Sequence, residues 1–90
     1  MRQLSHLIIR GRVQGVSFRA WTARQAQYRS VDGWVRNRED GGVEALLAGE
    51  ADAVRQMVEA CRTGPDHAVV TDVIELPARE DPGSGFHIRH

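Results

Sequence analysis

The chain has 90 residues, 41% of them hydrophobic, and its 12 Lys and Arg balance 12 Asp and Glu. That is enough chain for one domain, read as residues 1–90, with a modest core, and the charge balance gives no general pull toward nucleic acid or an anionic membrane. Cys61 stands alone, which excludes an internal disulfide and fits a reducing compartment; no apolar run is long enough to span a bilayer, and the start Met1–His6 has no long apolar region, so no membrane partner is expected and the cytoplasm is the expected location.

The apolar run Leu7-Ile8-Ile9 centres a first strand over 5–13. The segment Gly11-Arg12-Val13-Gln14-Gly15-Val16-Ser17-Phe18-Arg19 joins it to a helix over 19–30, where Ala20, Ala23, Ala26 and the glutamines favour helix. Strands follow over 31–38 and 43–49, joined by Asp40-Gly41, a hairpin signal. A second helix over 51–63 carries Val54, Met57, Val58 and Cys61 at i, i+3, i+4 and i+7, and Gly64-Pro65 stops it. Residues 67–76 are β-rich, 77–85 form a polar connection, and Phe86-His87-Ile88-Arg89 closes the chain as a short strand. The order is that of an α+β, ferredoxin-like βαββαβ sandwich, with two helices on one face of an antiparallel sheet and a short C-terminal strand. This architecture hosts many functions, so function must be read from a site.

The strand–loop–helix junction admits two readings. Gly11 and Gly15 allow positive φ and close approach of the backbone. Successive loop amides ahead of a helix N-terminus make an anion cradle, to which Arg19 adds a planar fork suited to phosphate. The plainer reading is a tight turn with a solvated arginine. The segment is not a nucleotide P-loop, since no Gly-Lys-Ser/Thr follows. Its glycines lie four apart, which excludes G-x-G-x-x-G, and the position six before Arg19 is Val13, not the cysteine of a thiol phosphatase loop.

A second segment, Val31-Asp32-Gly33-Trp34-Val35-Arg36-Asn37-Arg38, reads as a strand. Asn37 taken alone reads as a turn or edge residue. Taken with the Gly11–Arg19 loop, the run Gly33-Trp34-Val35-Arg36-Asn37 resembles the acylphosphatase family, and the likeness extends over nearly the whole chain to Phe86-His87-Ile88-Arg89. The resemblance implies a small hydrolase of acyl phosphates that needs no metal or other cofactor. It implies that Arg19 and the backbone of Val13, Gln14, Gly15, Val16, Ser17 and Phe18 bind the phosphoryl group, and that Asn37 positions the attacking water. Three positions depart from the family's pattern: Arg29-Ser30 stand where an apolar residue and a glycine are usual, Val69 where a basic residue is common, and His90 where tyrosine is frequent. None of them is expected to touch Arg19 or Asn37.

The chemistry is self-consistent. Cleaving a carboxyl–phosphate anhydride expels a carboxylate, which needs no strong general acid. The phosphoryl transition state spreads negative charge over its oxygens, so positioning and electrostatics carry the catalysis. Other residues have plainer roles. Ser17 has no histidine near it in sequence and is not expected to be a nucleophile. Phe18 and Cys61 read as core, Trp34 as packing or sheet surface, and Glu39-Asp40 as the hairpin turn. His6, His67, His87 and His90 form no helical metal-ligand pair, so no metal is expected. Arg10, Arg12, Arg36 and Arg38 flank the loop as either a solvated face or a source of positive potential. Two rival classes are an RNA-binding ferredoxin-like module, which would interleave aromatics with basics where the central strands offer Trp34 alone, and a phosphate-sensing domain without turnover. The expected partner is a small acyl phosphate acting on a monomer, with no nucleic acid.

Overall fold

A computed structural model describes all residues, Met1–His90. The elements run β1 (Arg2–Arg12), α1 (Phe18–Tyr28), β2 (Asp32–Asn37), β3 (Val43–Glu50), α2 (Ala51–Thr63), β4 (Val69–Leu76) and β5 (Phe86–Arg89). They form one sheet in the order β4-β1-β3-β2-β5. β1 pairs antiparallel with β3 and β4, and β2 antiparallel with β3, so the expected βαββαβ core is present. The closing strand differs: β5 pairs parallel with β2, and the whole sheet is mixed rather than antiparallel.

Strand direction decides where the ends meet. β1, β2 and β5 all run opposite to β3, so the β1–α1 loop, the end of β2 at Asn37 and the end of β5 at Arg89 lie at one edge of the sheet. Alternate residues of the central strands, including Leu7, Ile9, Val35, Val43, Ala45 and Leu47, meet Ala26 of α1 and Val54, Met57, Val58 and Cys61 of α2 in one buried cluster. The i, i+3, i+4, i+7 face of α2 is therefore the buried face, and burial pushes the Cys61 thiol up to about 12. No helix is long and apolar enough to cross a membrane.

α1 ends two residues earlier than the sequence suggests, at Tyr28, and in a definite geometry. Ser30 sits at φ 56, the Ser30 amide donates to Gln27 O at 3.3 Å, and the Val31 amide donates to Ala26 O at 2.8 Å. This is a Schellman cap with serine in the left-handed position that glycine usually takes. In the hairpin, the Arg38 amide donates to Gly42 O at 2.8 Å, and the Asp40 carboxylate accepts from the Gly42 amide at 3.0 Å. That bond and the guanidinium of Arg38 hold the Asp40 carboxyl below its usual range.

Candidate active site

The loop between β1 and α1 is slung between two buried anchors, Val13 and Phe18, which are 1% and 2% exposed. Phe18 meets Trp21 edge-on at 5.4 Å, which fixes the first turn of α1 against the core. Between the anchors the sign of φ alternates: Gly15 stands at +73 and Ser17 at +61, whereas Gln14 and Val16 are not left-handed. Alternating handedness turns successive amides toward one side, the arrangement of an anion-binding nest. A Cβ built on Gly15 would meet nothing within 4 Å, so the space over the loop is open. A non-glycine residue in the left-handed region carries strain of about 1–3 kcal/mol, so Ser17 is held there by its surroundings.

Free donors follow from the helix start. The first bond of α1 runs from the Trp21 amide to Ser17 O at 3.0 Å. The amides of Ser17, Phe18, Arg19 and Ala20 therefore have no partner within the helix. No side chain caps them, and the first turn holds no acidic residue. Four donors at the positive end of the helix dipole are left without a helix or side-chain partner.

Arg19 and Asn37 line one cavity of about 500 Å³ with Val13, Gly15, Ser17, Phe18, Ala20, Ile88 and His90. The cavity thus joins the β1–α1 loop, the end of β2 and the end of β5. Two sequence-selected loop residues send their side chains elsewhere. The Gln14 amide group donates to Arg38 O and Gly42 O, each at 2.8 Å, and so ties the loop to the hairpin beside Asn37. Val16 packs against the core. Arg19 is restrained from the far end of the chain: its Nη1 donates to Arg89 O at 3.3 Å and to His90 Nδ1 at 3.2 Å. Sequence reasoning passed over Ala20, Ile88 and His90 as cavity residues. The alternation Phe86, Ile88 in the closing strand hinted at one inward residue, but nothing local signals the His90 contact, which overturns the expectation that His90 stays clear of Arg19: β5 ends beside the start of α1 and brings the two together.

Of the four flanking basic residues, Arg36 and Arg38 are engaged in ion pairs. Arg36 bonds Glu44 at 2.8 Å, and Arg38 bonds Asp40 at 3.1 Å. Glu44 is 6% exposed. Burial alone would raise its pKa, but hydrogen bonds from Arg36 and His6 hold it below the usual carboxylate range. Trp34 lies on the sheet surface with the guanidinium groups of Arg36 and Arg89 at 5.2 and 4.8 Å from its ring centre, so cations stack where a base-binding aromatic would be free. No group of three or more His, Cys, Asp and Glu comes together in metal-binding proximity.

Comparison with known proteins matches residues 5–88 to the family model described as Acylphosphatase. An acylphosphatase of Azorhizobium caulinodans is 49% identical over 89 residues, covering 98% of this chain and 96% of that one. Among solved structures, an acylphosphatase from Bacillus subtilis superimposes with a TM-score of 0.91 at 38% identity, covering 100% of both chains. One from Coxiella burnetii gives a TM-score of 0.92 at 32% identity, covering 98% of this chain and 93% of that one.

Proposed function

The chain belongs to the acylphosphatase family and is an acyl phosphate hydrolase, and from that premise we propose how its residues divide the work. The phosphoryl group sits in the nest of loop amides over Val13–Phe18, at the N-terminus of α1, with the Arg19 guanidinium pairing with its oxygens. These donors stand in place before reaction, so charge developing on the equatorial oxygens meets fixed dipoles rather than reorganising water. Asn37 faces the same cavity from β2. Its amide accepts a hydrogen bond from the attacking water and donates to a phosphoryl oxygen, which orients the water without taking its proton. The proton passes to a phosphoryl oxygen of the substrate, since no carboxylate lines the cavity and Nδ1 of its one histidine, His90, is engaged by Arg19 Nη1. The carboxylate leaves as the anion, unprotonated by any acid, as its low basicity allows.

The observation that carries this reading is the meeting of Arg19, Asn37 and the open loop in one cavity. It favours turnover over mere phosphate sensing, because a sensor needs the cradle but not the water-orienting amide. The chain acts on this reading as a single domain and a monomer in the cytoplasm, with a small-molecule substrate and no cofactor.

The test is hydrolysis of benzoyl phosphate at neutral pH with chelator present. Wild type is expected to turn over freely. Arg19→Gln and Asn37→Ala are each expected to lose about 100- to 1,000-fold in kcat/KM, the scale of removing one pre-placed donor from a charge-stabilising site, with unchanged circular dichroism. Folded wild type that binds phosphate without turnover would favour the sensor.

A further inference from the structure

We propose that Ile88 is the contact surface for the acyl group of the substrate, and that the cavity thereby selects acyl phosphates with an apolar acyl group over those whose acyl group is small or polar. The inference rests on the reading that the phosphoryl group lies against the β1–α1 loop.

The cavity holds more than a phosphate. Its volume of about 500 Å³ is that of a small-molecule site, with room beside a tetrahedral anion. The loop, Arg19 and Asn37 supply its polar side. Its apolar side is made by Val13, Phe18, Ala20 and Ile88. These four are not equivalent. Val13 and Phe18 are 1% and 2% exposed, so they wall the cavity from within the core and have no surface to offer a ligand. Ala20 offers one methyl group. Ile88 is 40% exposed, and of the exposed large apolar side chains it is the one that lines this cavity. A single exposed apolar side chain on a protein surface means nothing by itself. Here its place carries the argument.

That place is set by the register of β5. Phe86 packs against the core, and Ile88, two residues on, lies on the same face of the strand. Ile88 pairs with Val35, which is fully buried, and Asn37 follows Val35 by two on the same face of β2. The apolar row of β5 thus runs past the edge of the core and ends at the wall of the cavity that Asn37 also lines. In an acyl phosphate one bridging oxygen joins phosphorus to the acyl carbon, so a phosphoryl group held at the loop brings the acyl substituent into the same cavity. An apolar substituent gains by covering Ile88 from water. A carbamoyl amide set against the same side chain would give up hydrogen bonds to water with no partner in exchange.

The test measures kcat/KM for benzoyl phosphate and for carbamoyl phosphate in wild type, Ile88→Val and Ile88→Ala, and reads the benzoyl-to-carbamoyl ratio of each variant against that of wild type. Dividing by the wild-type ratio cancels the different intrinsic reactivities of the two anhydrides. Ile88→Ala is expected to lower the ratio about four- to fifteenfold, the worth of one or two methylene groups kept from water. Ile88→Val is expected to lower it about two- to fourfold, and it decides the matter if circular dichroism shows Ile88→Ala unfolded. A ratio that stays at the wild-type value in the folded variants overturns the proposal. Arg19→Gln run alongside separates the two failures. If it keeps wild-type kcat/KM on both substrates, the reading of the loop as the phosphoryl site falls too. If it loses activity on both while the Ile88 variants keep the wild-type ratio, only the role of Ile88 falls.

Discussion

At the scale of single residues, the proposed site divides between groups that would hold charge and a group that would hold water. On the proposed reading Arg19 would contact the phosphoryl oxygens in ground and transition states alike, so Arg19→Gln is expected to raise KM as well as lower kcat. On the same reading Asn37 would act on the water, so Asn37→Ala is expected to fall mainly in kcat with KM within a few-fold of wild type; the benzoyl phosphate kinetics separate the two. A KM effect confined to Asn37 would reverse these roles. Both residues could be picked out from sequence because their spacing within two short motifs carries the resemblance. The contacts of Gln14 and His90 could not. Gln14 acts through bonds to residues 24 and 28 positions away, and His90 through one 71 positions away, so no local pattern announces either.

At the scale of elements, the boundaries expected from periodicity and stop signals hold wherever local chemistry decides them. α2 begins and ends at Ala51 and Thr63 because its apolar face and Gly64 agree. The end of α1 is a local rule broken: Ser30 fills the left-handed position of a complete Schellman cap. The left-handed conformation costs a residue with a Cβ about 1 kcal/mol or more relative to glycine, partly offset by the greater freedom of glycine in the unfolded chain. Ser30→Gly is therefore expected to stabilise the protein by about 0.5–1 kcal/mol, read as a rise of a few degrees in Tm with activity unchanged. A fall in Tm would mean that the serine makes a compensating contact in the folded state. The parallel pairing of β5 was beyond reach of sequence patterning. Four residues of strand carry no directional signal, and the direction is set by the polar connection over 77–85.

At the scale of the whole molecule, that connection is pinned by charge. Arg2 donates to the Asp81 carboxylate at 2.7 and 2.9 Å, to Asp32 at 2.9 Å and to Gly83 O at 3.0 Å, while the Gly85 amide donates to Asp32 at 2.9 Å. The start of β1, the start of β2 and the start of β5 are thereby joined at the end of the sheet opposite the cavity. Hydrogen bonds from Arg2 and from the Gly83 amide pull the Asp81 carboxyl down to about 2, and those from Arg2 and the Gly85 amide hold Asp32 below its usual value. Carboxyls depressed in the folded state add stability that is complete above the unfolded value of about 3.9 and vanishes as pH falls through the folded one. The Tm gap between wild type and Arg2→Gln is accordingly expected to be constant from pH 7 down to about 5 and to close toward pH 2. A gap that persists at pH 2 would assign Arg2 a packing role instead.

The same arrangement leaves the opposite end of the sheet free to present its cradle, and backbone amides cannot be mutated away. The most direct measurement is a titration of the isotope-labelled protein with inorganic phosphate, following each amide by NMR. The largest shifts are expected in the amides from Gln14 to Ala20 and in the side-chain NH₂ of Asn37, and they are expected to disappear in Arg19→Gln. Shifts centred instead on the cleft of Arg36 and Arg38, with the loop amides unmoved, would contradict the assignment of the phosphoryl group to the β1–α1 loop.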